Sequence, residues 1–161
     1  MIYFITGVLG TGKTTIGRML ARKLNIPFHD ADEYLTHEDR KKLAKGVPLS
    51  EKEWKDLMFA MRAIIDRELA RGANAVIACS ALKEKYRKML LHEMDRMKLI
   101  YIKGTKEFIE TRLKKHKTHH NASPEILGHH LALLEEPKDA EVFDMSMNKE
   151  AIVDEIIKRV K

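Results

Sequence analysis

A glycine-rich octapeptide near the N-terminus limits the possible folds of this chain more than any other feature. Residues 7–14 read Gly-Val-Leu-Gly-Thr-Gly-Lys-Thr and match the pattern G-x-x-x-x-G-K-[ST] at every fixed position. The apolar run 2–6 before it has the composition of a short strand, and an amphipathic helix is predicted over 13–24. Because the backbone N–H groups of such a loop, together with a helix N-terminus, attract polyphosphate, the sequence predicts a P-loop.

Each fixed position of this loop has an expected role. Glycines at 7, 10 and 12 allow a tight turn and a close approach of the backbone to phosphate. Lys13 is expected to reach the β- and γ-phosphates and to act in catalysis, and the Thr14 hydroxyl is expected to ligate Mg²⁺. ATP and Mg²⁺ are therefore the predicted cofactors. The predicted nucleotide-binding residues of the loop are Gly7, Leu9, Gly10, Thr11, Gly12, Lys13, Thr14 and Thr15.

Strand and helix patterns alternate along the rest of the chain. Further strands are predicted at 27–30, 75–79, 98–103 and 141–145, and helices at 37–45, 51–71, 83–95, 106–116, 124–135 and 149–160. Strands separated by helices indicate parallel crossovers. We therefore expect residues 1–161 to form a single domain, an α/β three-layer sandwich with a five-stranded parallel sheet, which is the P-loop containing nucleoside triphosphate hydrolase fold.

Composition and charge restrict the function classes. Hydrophobic residues make up 44% of the chain and charged residues 34%, and the apolar runs are too short to span a membrane. One cysteine and a start without a signal-peptide pattern predict a cytoplasmic protein. The net charge of +6 is spread over predicted helices, and only 6% of residues are aromatic, so neither nucleic acid nor a membrane is an expected partner. A monomer and a homodimer both stay open.

Two carboxylates follow the second predicted strand, and a polar segment follows the third. Asp30 and Asp32 share one side of an extended chain, so one is expected near the metal and the other near an acceptor hydroxyl. We assign Asp30 to catalysis and metal binding, and Asp32 to catalysis and substrate binding. After the third strand, Ser80, Lys83 and Arg87 are candidate substrate residues, with Lys83 also a catalytic candidate. An anionic, hydroxylated small molecule is the expected substrate.

A basic, histidine-rich stretch is the candidate lid. Residues 112–123 begin with Arg112 and contain further lysines and histidines, as expected of a segment that closes over phosphates and excludes water. Histidines at 116, 119, 120, 129 and 130 also suggest a metal site, which we disfavour because no nearby cysteine completes a ligand set. The prediction is therefore a small helical lid at about 112–123.

Taken together, these motifs resemble those of the gluconate kinases, which are small P-loop kinases of the nucleoside-monophosphate-kinase type. The resemblance covers nearly the whole chain and rests on Gly7–Thr14, Asp30-Ala31-Asp32, Gly46-Val47-Pro48-Leu49, Cys79–Arg87 and Leu134-Glu135-Glu136-Pro137. It implies transfer of the γ-phosphoryl group of ATP to the 6-hydroxyl of gluconate. It also implies that Arg112 packs on the adenine.

The chain departs from the family pattern in segments that face the substrate or form the lid. Leu35 and Asp39 stand where the family has His and Asn, and 50–54 keeps only the Trp of a longer motif. The lid Arg is replaced by His116, and Ser-Gln-Phe is replaced by residues 129–131. We expect Arg62 to supply the missing substrate guanidinium. Kinase chemistry is therefore better supported than gluconate itself as the acceptor.

Three alternatives stay open from the sequence. The first is a kinase of another sugar acid, polyol or shikimate-like acid, although the shikimate kinase Gly-Gly-Gly motif is absent at 80–82. The second is a nucleic-acid end kinase or NTPase, which the basic charge permits. The third is a nucleotide-binding switch without transfer activity, for which two acceptor-side carboxylates are more than is required.

Overall fold

Five parallel strands form the centre of the structure, a computed structural model that describes residues 1–115 and 123–160. Their order in the sheet is β2-β3-β1-β4-β5, with each neighbouring pair parallel. The predicted five-stranded parallel sheet is therefore confirmed. The strands are β1 (Ile2–Thr6), β2 (Phe28–Asp30), β3 (Ala75–Ala78), β4 (Met97–Lys103) and β5 (Glu141–Asp144).

Helices connect successive strands and cover both faces of the sheet. The first helix packs against the last one and against the three strands β1, β2 and β3, while the third helix packs against the fourth and against β1. The α-helices are α1 (Lys13–Leu24), α2 (His37–Ala44), α3 (Glu51–Ala70), α4 (Glu84–Leu90), α5 (Lys106–Lys115), α6 (Pro124–Leu133) and α7 (Lys149–Val160), with short 3-10 turns at Ala31–Tyr34 and Met94–Arg96.

Burial of the strands follows from their composition. All four residues of β3 are buried, as expected for an apolar strand without alternation that lies in the interior of a parallel sheet. β1 lies at the centre of the sheet, and Ile2, Phe4 and Ile5 are fully buried there. This central position places the loop that follows β1 in the middle of the carboxyl edge of the sheet, where open α/β folds bind their ligands.

The polypeptide between α3 and β4 differs from the sequence prediction. A helix was predicted over 83–95, but α4 ends at Leu90 and a separate 3-10 turn covers Met94–Arg96. The prediction failed because the chain must return to the sheet by Met97, which pairs with Ile2. Arg62 helps to end α4, since its Nη1 donates a hydrogen bond of 2.6 Å to the Met89 carbonyl.

Two sequence predictions, on membrane-spanning helices and on the lid, can be compared only with the residues that the structure describes. No helix within 1–115 and 123–160 is both long enough and apolar enough to cross a membrane. The predicted lid at about 112–123 falls mostly on residues 116–122, which lie outside the described residues. The lid and the single-domain organisation therefore stay predictions.

Candidate active site

The loop between β1 and α1 adopts a conformation that its glycines make possible. Gly7 has φ 153° and Gly12, which precedes α1, has φ 97°. A Cβ at Gly7 would lie only 2.6 Å from the Ile102 carbonyl oxygen, so a larger residue would push the loop away from β4. The buried Thr11 hydroxyl donates to the Val8 carbonyl at 3.0 Å and fixes the turn from within.

Lys13 lies over this loop as the first residue of α1. Its Nζ donates a hydrogen bond of 3.0 Å to the Val8 carbonyl. Burial lowers the pKa of this amine, and the nearby carboxylates of Asp32 and Asp30 oppose that shift by favouring the charged form. The site therefore holds a cation together with the carboxylates that stabilise it.

Asp30 links the P-loop to the end of β2. Its Oδ2 accepts a hydrogen bond of 2.5 Å from the Thr14 hydroxyl, and its Oδ1 accepts one of 3.0 Å from the Asp32 backbone N–H. The Asp30 side chain is buried. A hydroxyl oxygen and a carboxylate in contact are hard oxygen ligands of the type that Mg²⁺ binds, so these two residues fit a magnesium site.

Asp32 lies on the 3-10 turn after β2, at the solvent-facing side of the same site. Loss of hydration and the charge of Asp30 raise the pKa of its carboxyl, and Lys13 and Arg40 partly oppose the shift. Arg40 also donates to the Asp32 carbonyl at 3.0 Å, which holds the turn. A carboxylate with a raised pKa beside a phosphate-binding loop is suited to accept a proton.

A chamber opens beside the P-loop, and we call it the P-loop chamber. One part of its wall is polar and consists of Lys13, Thr14, Thr15, Asp30, Asp32, Ser80, His129 and His130. The rest of the wall is mainly apolar. It is formed by Leu9, Ala31, Leu35, Leu43, Pro48, Leu49, Trp54, Leu57, Ala78, Cys79 and Ile126.

His130 of α6 connects the chamber wall to the P-loop. Its Nδ1 accepts a hydrogen bond of 3.1 Å from the Leu9 backbone N–H, and the side chain is buried against Trp54. Trp54 Nε1 and His129 Nε2 are buried atoms without a hydrogen-bond partner among the described residues. Unpaired buried polar atoms are rare, so these two are exceptions within the chamber wall.

Three of the cations expected from the sequence do not reach the chamber. Arg87 is buried and donates to the Ala81, Leu82 and Glu135 carbonyls at 2.6–2.9 Å, so its guanidinium binds backbone carbonyls inside the protein. Arg62 pairs with Asp66 and the Met89 carbonyl. Lys83 occupies the N-cap position of α4 without a side-chain capping hydrogen bond, and it is not part of the chamber wall. The structure therefore places none of these three cations in the chamber wall, whereas Ser80 does line the chamber.

A second groove lies near Gly12 of the P-loop, and we call it the Arg112 groove. It is formed by α1, α5 and the segment between β5 and α7. A Cβ at Gly12 would lie 3.3 Å from Lys149 Cε and 3.8 Å from an Arg112 Nη1, so both cations stand against the loop. The residues lining the groove are Met19, Phe108, Thr111, Arg112, Lys115, Met145, Ser146, Met147, Asn148, Lys149 and Glu150.

Sequence reasoning missed His130 and Lys149 as site residues. Lys149 follows β5, and the carboxyl ends of all parallel strands meet at one edge, so its position after the fifth strand was a usable signal. Its pKa is lowered by burial and by Arg112. His130 appeared in the sequence only among the five histidines and in the segment 129–131 that departs from the family pattern, and neither feature indicated its contact with the P-loop.

Two further sequence interpretations concern chemistry. Cys79 lines the chamber, but burial raises the pKa of its thiol to about 12, which agrees with an inert rather than a nucleophilic cysteine. Among the described residues, no cluster of three or more His, Cys, Asp or Glu could hold a metal ion. Histidines 116, 119 and 120 lie outside the part of the chain that the structure describes.

Comparison with known proteins identifies relatives over the whole chain. The shikimate kinase family model matches residues 9–161. A probable gluconokinase of Mus musculus is 35% identical, with 88% of this chain and 86% of that protein covered. The thermoresistant gluconokinase of Escherichia coli (strain K12) is 30% identical, with 99% of this chain and 93% of that protein covered.

The solved structures that match this chain include sugar kinases and shikimate kinases. A sugar kinase of Janibacter sp. HTCC2649 superposes with a TM-score of 0.87 at 27% identity, covering 98% of this chain and 92% of its own. A gluconokinase of Sinorhizobium meliloti 1021 has a TM-score of 0.82 at 26% identity, with 97% of this chain and 89% of that chain covered. The shikimate kinase of Aquifex aeolicus shares the fold. It is 20% identical and has a TM-score of 0.62, with 99% of this chain and 96% of that chain covered.

Proposed function

We propose that gluconate is the phosphate acceptor of this chain, which belongs to the gluconokinase family of P-loop kinases. The shikimate kinase family model also matches the chain. The chain is therefore an ATP-dependent phosphotransferase with an alcohol acceptor. The product would be 6-phosphogluconate. The names of its relatives motivate the choice of gluconate. The observation that carries the proposal is the contact of Thr14 with Asp30, which joins the phosphate loop to the carboxylates of the acceptor side.

The nucleotide would bind across the P-loop. The backbone N–H groups of residues 7–14 and the N-terminus of α1 attract the phosphates, and Lys13 stabilises the charge that develops on the transferred group. The adenine would lie in the Arg112 groove, with Arg112 against its face and Lys149 beside the phosphates. Thr14 and Asp30 would hold Mg²⁺, which when bound neutralises phosphate charge.

The acceptor would enter the P-loop chamber with one hydroxyl directed at the γ-phosphate. Asp32 takes the proton of that hydroxyl as the oxygen attacks phosphorus. The new O–P bond forms while the bond from phosphorus to the oxygen bridging to the β-phosphate breaks, and ADP keeps the bonding electrons. Loss of hydration, together with the charge of Asp30, raises the pKa of the Asp32 carboxyl and so increases its strength as a base.

A panel of acceptors tests the proposal. ADP release would be measured with gluconate, other sugar acids, polyols, shikimate and short oligonucleotides. Gluconate should give the highest kcat/KM, and the product should be phosphorylated at the 6-hydroxyl. A higher value with an oligonucleotide, or turnover without any acceptor preference, would contradict the proposal.

Lys13→Ala provides the blank for this panel. Removing the cation that stabilises the transferred phosphoryl should lower kcat by about 10²-fold or more, at the scale known for loss of one such group. Lys52→Ala is the matched control, because Lys52 is exposed and pairs with Asp56 on the same helix. Near-normal turnover of Lys13→Ala would remove Lys13 from the mechanism.

One observation favours a second candidate, a kinase of a less hydroxylated acid or polyol. Among the described residues, Lys13 is the one lysine or arginine in the chamber wall, and most of the remaining wall is apolar. A hydroxyl-rich sugar acid would leave several polar groups facing apolar side chains, at a cost in binding. In the same panel, this candidate predicts a higher kcat/KM for a smaller, more apolar acid such as shikimate than for gluconate.

The expectations on partners, cellular location and oligomeric state also continue as proposals. We propose a small-molecule enzyme that uses neither nucleic acid nor a membrane, and the pairing of surface lysines with neighbouring carboxylates supports this. A steep loss of polynucleotide binding with rising salt would oppose it. A cytoplasmic location and the choice between monomer and homodimer stay predictions, the second of which sedimentation would test.

A further inference from the structure

A histidine from the last third of the chain contacts the phosphate loop at its beginning. His130 lies near the end of α6, and its Nδ1 accepts the Leu9 backbone N–H at 3.1 Å across 121 residues of sequence. Leu9 stands in the P-loop between Gly7 and Gly10. The shape of the loop in this segment therefore depends on a side chain from another element.

Packing fixes the orientation of this imidazole. His130 is 8% exposed, and its ring centroid lies 5.6 Å from that of Trp54 at an interplanar angle of 56°. Trp54 is in turn stacked on Tyr86, with centroids 6.1 Å apart. A ring held between a buried indole and a backbone N–H cannot rotate without breaking one of these contacts.

The hydrogen bond also determines which ring nitrogen carries the proton. A backbone N–H can only donate, so Nδ1 must be the unprotonated nitrogen and the proton of the neutral ring is on Nε2. Burial, together with the charges of Lys13 and His129, lowers the pKa of His130 to about 3. The ring is therefore neutral at physiological pH and carries one donor, Nε2–H.

The residue that carries this donor lines the chamber in which phosphoryl transfer would occur. His130 is part of the chamber wall together with Lys13, and no described side chain or carbonyl accepts a hydrogen bond from Nε2. The transferred phosphoryl group has acceptor oxygens only and gains charge on them during the reaction. A neutral donor can contact these oxygens while leaving Lys13 as the charged partner.

We propose that His130 has two functions: its Nδ1 holds the P-loop in the phosphate-binding shape, and its Nε2–H donates to the phosphoryl group in transit. His130 is thus a catalytic residue as well as a positioning residue. The inference rests on the kinase part of the proposed function, and does not depend on gluconate being the acceptor.

Two substitutions separate these functions. In His130→Asn, the side-chain oxygen replaces Nδ1 and can still accept the Leu9 N–H, but nothing reaches the place of Nε2. In His130→Gln, the amide reaches the place of Nε2 but is too distant from that of Nδ1. His130→Leu removes both groups. His92→Asn is the matched control, because His92 pairs with Asp66 outside both the chamber and the groove.

Binding of a non-hydrolysable ATP analogue and kcat with the best acceptor would be measured for each variant. His130→Asn should bind the analogue within about 3-fold of the wild type and lose about tenfold or more in kcat, at the scale of a lost transition-state hydrogen bond. His130→Gln should keep more of kcat but bind more weakly. His130→Leu should lose both, and His92→Asn neither.

Spectroscopy tests the tautomer without any acceptor. In ¹⁵N-labelled protein, the His130 ring should show a protonated Nε2 and an unprotonated Nδ1 at pH 7, and it should stay neutral at pH 5. A protonated Nδ1 would overturn the proposal, as would unchanged kcat in His130→Asn. Equal analogue affinity in His130→Leu and the wild type would also overturn it. If gluconate alone fails as acceptor, the analogue affinities and the tautomer still decide the role of His130.

Discussion

Asp32 illustrates how the neighbours of one side chain determine its chemistry. Asp30 and Asp32 are two positions apart, but Asp30 is buried and already accepts hydrogen bonds from Thr14 and from the Asp32 N–H. Asp32 opens to the chamber, and its pKa is raised by loss of hydration and by the negative charge of Asp30. Environments that differ in this way separate a metal-side carboxylate from a general base.

The role of Asp32 as a base predicts an acid limb in the pH profile. Only the ionised carboxylate accepts a proton, so kcat/KM should fall as pH falls through a pKa above the ordinary Asp value of about 3.9. Asp32→Asn should lower kcat by about 10²- to 10⁴-fold and remove this limb from the residual activity, while ATP affinity stays near normal.

Asp56→Asn is the matched control, since Asp56 is exposed on α3 and pairs with Lys52. It should keep both the rate and the acid limb. If Asp32→Asn weakened ATP binding as much as turnover, Asp32 would serve the metal. If the limb persisted in Asp32→Asn, another group would be the base.

The short helix α4 is held in place by Arg87. The guanidinium donates to two carbonyls before α4 and to the Glu135 carbonyl after α6, and the Glu135 side chain accepts the Glu84 N–H at 2.8 Å. Arg87 therefore joins the segment that follows β3 to the segment that follows α6. Both segments flank the chamber, since Ser80 and His130 lie in its wall.

Arg87→Met tests this structural role against the substrate role that the sequence suggested. The substitution leaves the Ala81 and Glu135 carbonyls without this donor, while the Leu82 carbonyl keeps the Glu135 N–H, so the free energy of unfolding should fall by about 2–4 kcal/mol. Thermal unfolding should show this as a lower Tm, and Arg87→Lys should be intermediate because it keeps the charge but loses the planar group.

The same variant distinguishes the two roles by kinetics. For the folded fraction at low temperature, the acceptor KM of Arg87→Met should stay near the wild-type value. A normal Tm combined with a large rise in acceptor KM would reverse the assignment and return Arg87 to the substrate site.

The sequence predicted local features well and long-range contacts poorly. The positions of the P-loop, Asp30 and Asp32 at one site were predictable because each depends on a strand end and on spacing within a few residues. Lys83 and Arg87 share a helix face by spacing, but spacing does not tell whether that face meets the chamber or the protein interior. The contact of Leu9 with His130 depends on how α6 packs, which no local pattern records.

The proposed nucleotide site as a whole is assembled from segments that are distant in the sequence. The P-loop follows β1, Arg112 lies on α5, and Lys149 begins α7 after β5. Lys149 and Arg112 both stand against Gly12, and each would gain a partner when an anionic nucleotide binds. Binding should therefore stabilise the folded protein through contacts between elements, by the mass-action effect of a ligand that binds only the native state.

ATP should accordingly raise the Tm of the wild-type protein, and Lys149→Ala should reduce that rise. At 100 times Kd the stabilisation is about 2.7 kcal/mol, or about 5–10 °C for a chain of this size. Loss of a charge-assisted contact should weaken ATP binding about tenfold, so the rise should be smaller by about 1.4 kcal/mol at the same ATP concentration.

The Tm without nucleotide distinguishes a binding role of Lys149 from a structural one. Burial and the charge of Arg112 both lower the pKa of Lys149, so its ammonium contributes no net stability to the free protein. The nucleotide-free Tm of Lys149→Ala should therefore equal or exceed that of the wild type. Lys158→Ala, an exposed lysine on the same helix, should change neither value. A lower nucleotide-free Tm with an undiminished ATP shift would mean that Lys149 supports the fold, and the Arg112 groove would then need another partner for the phosphates.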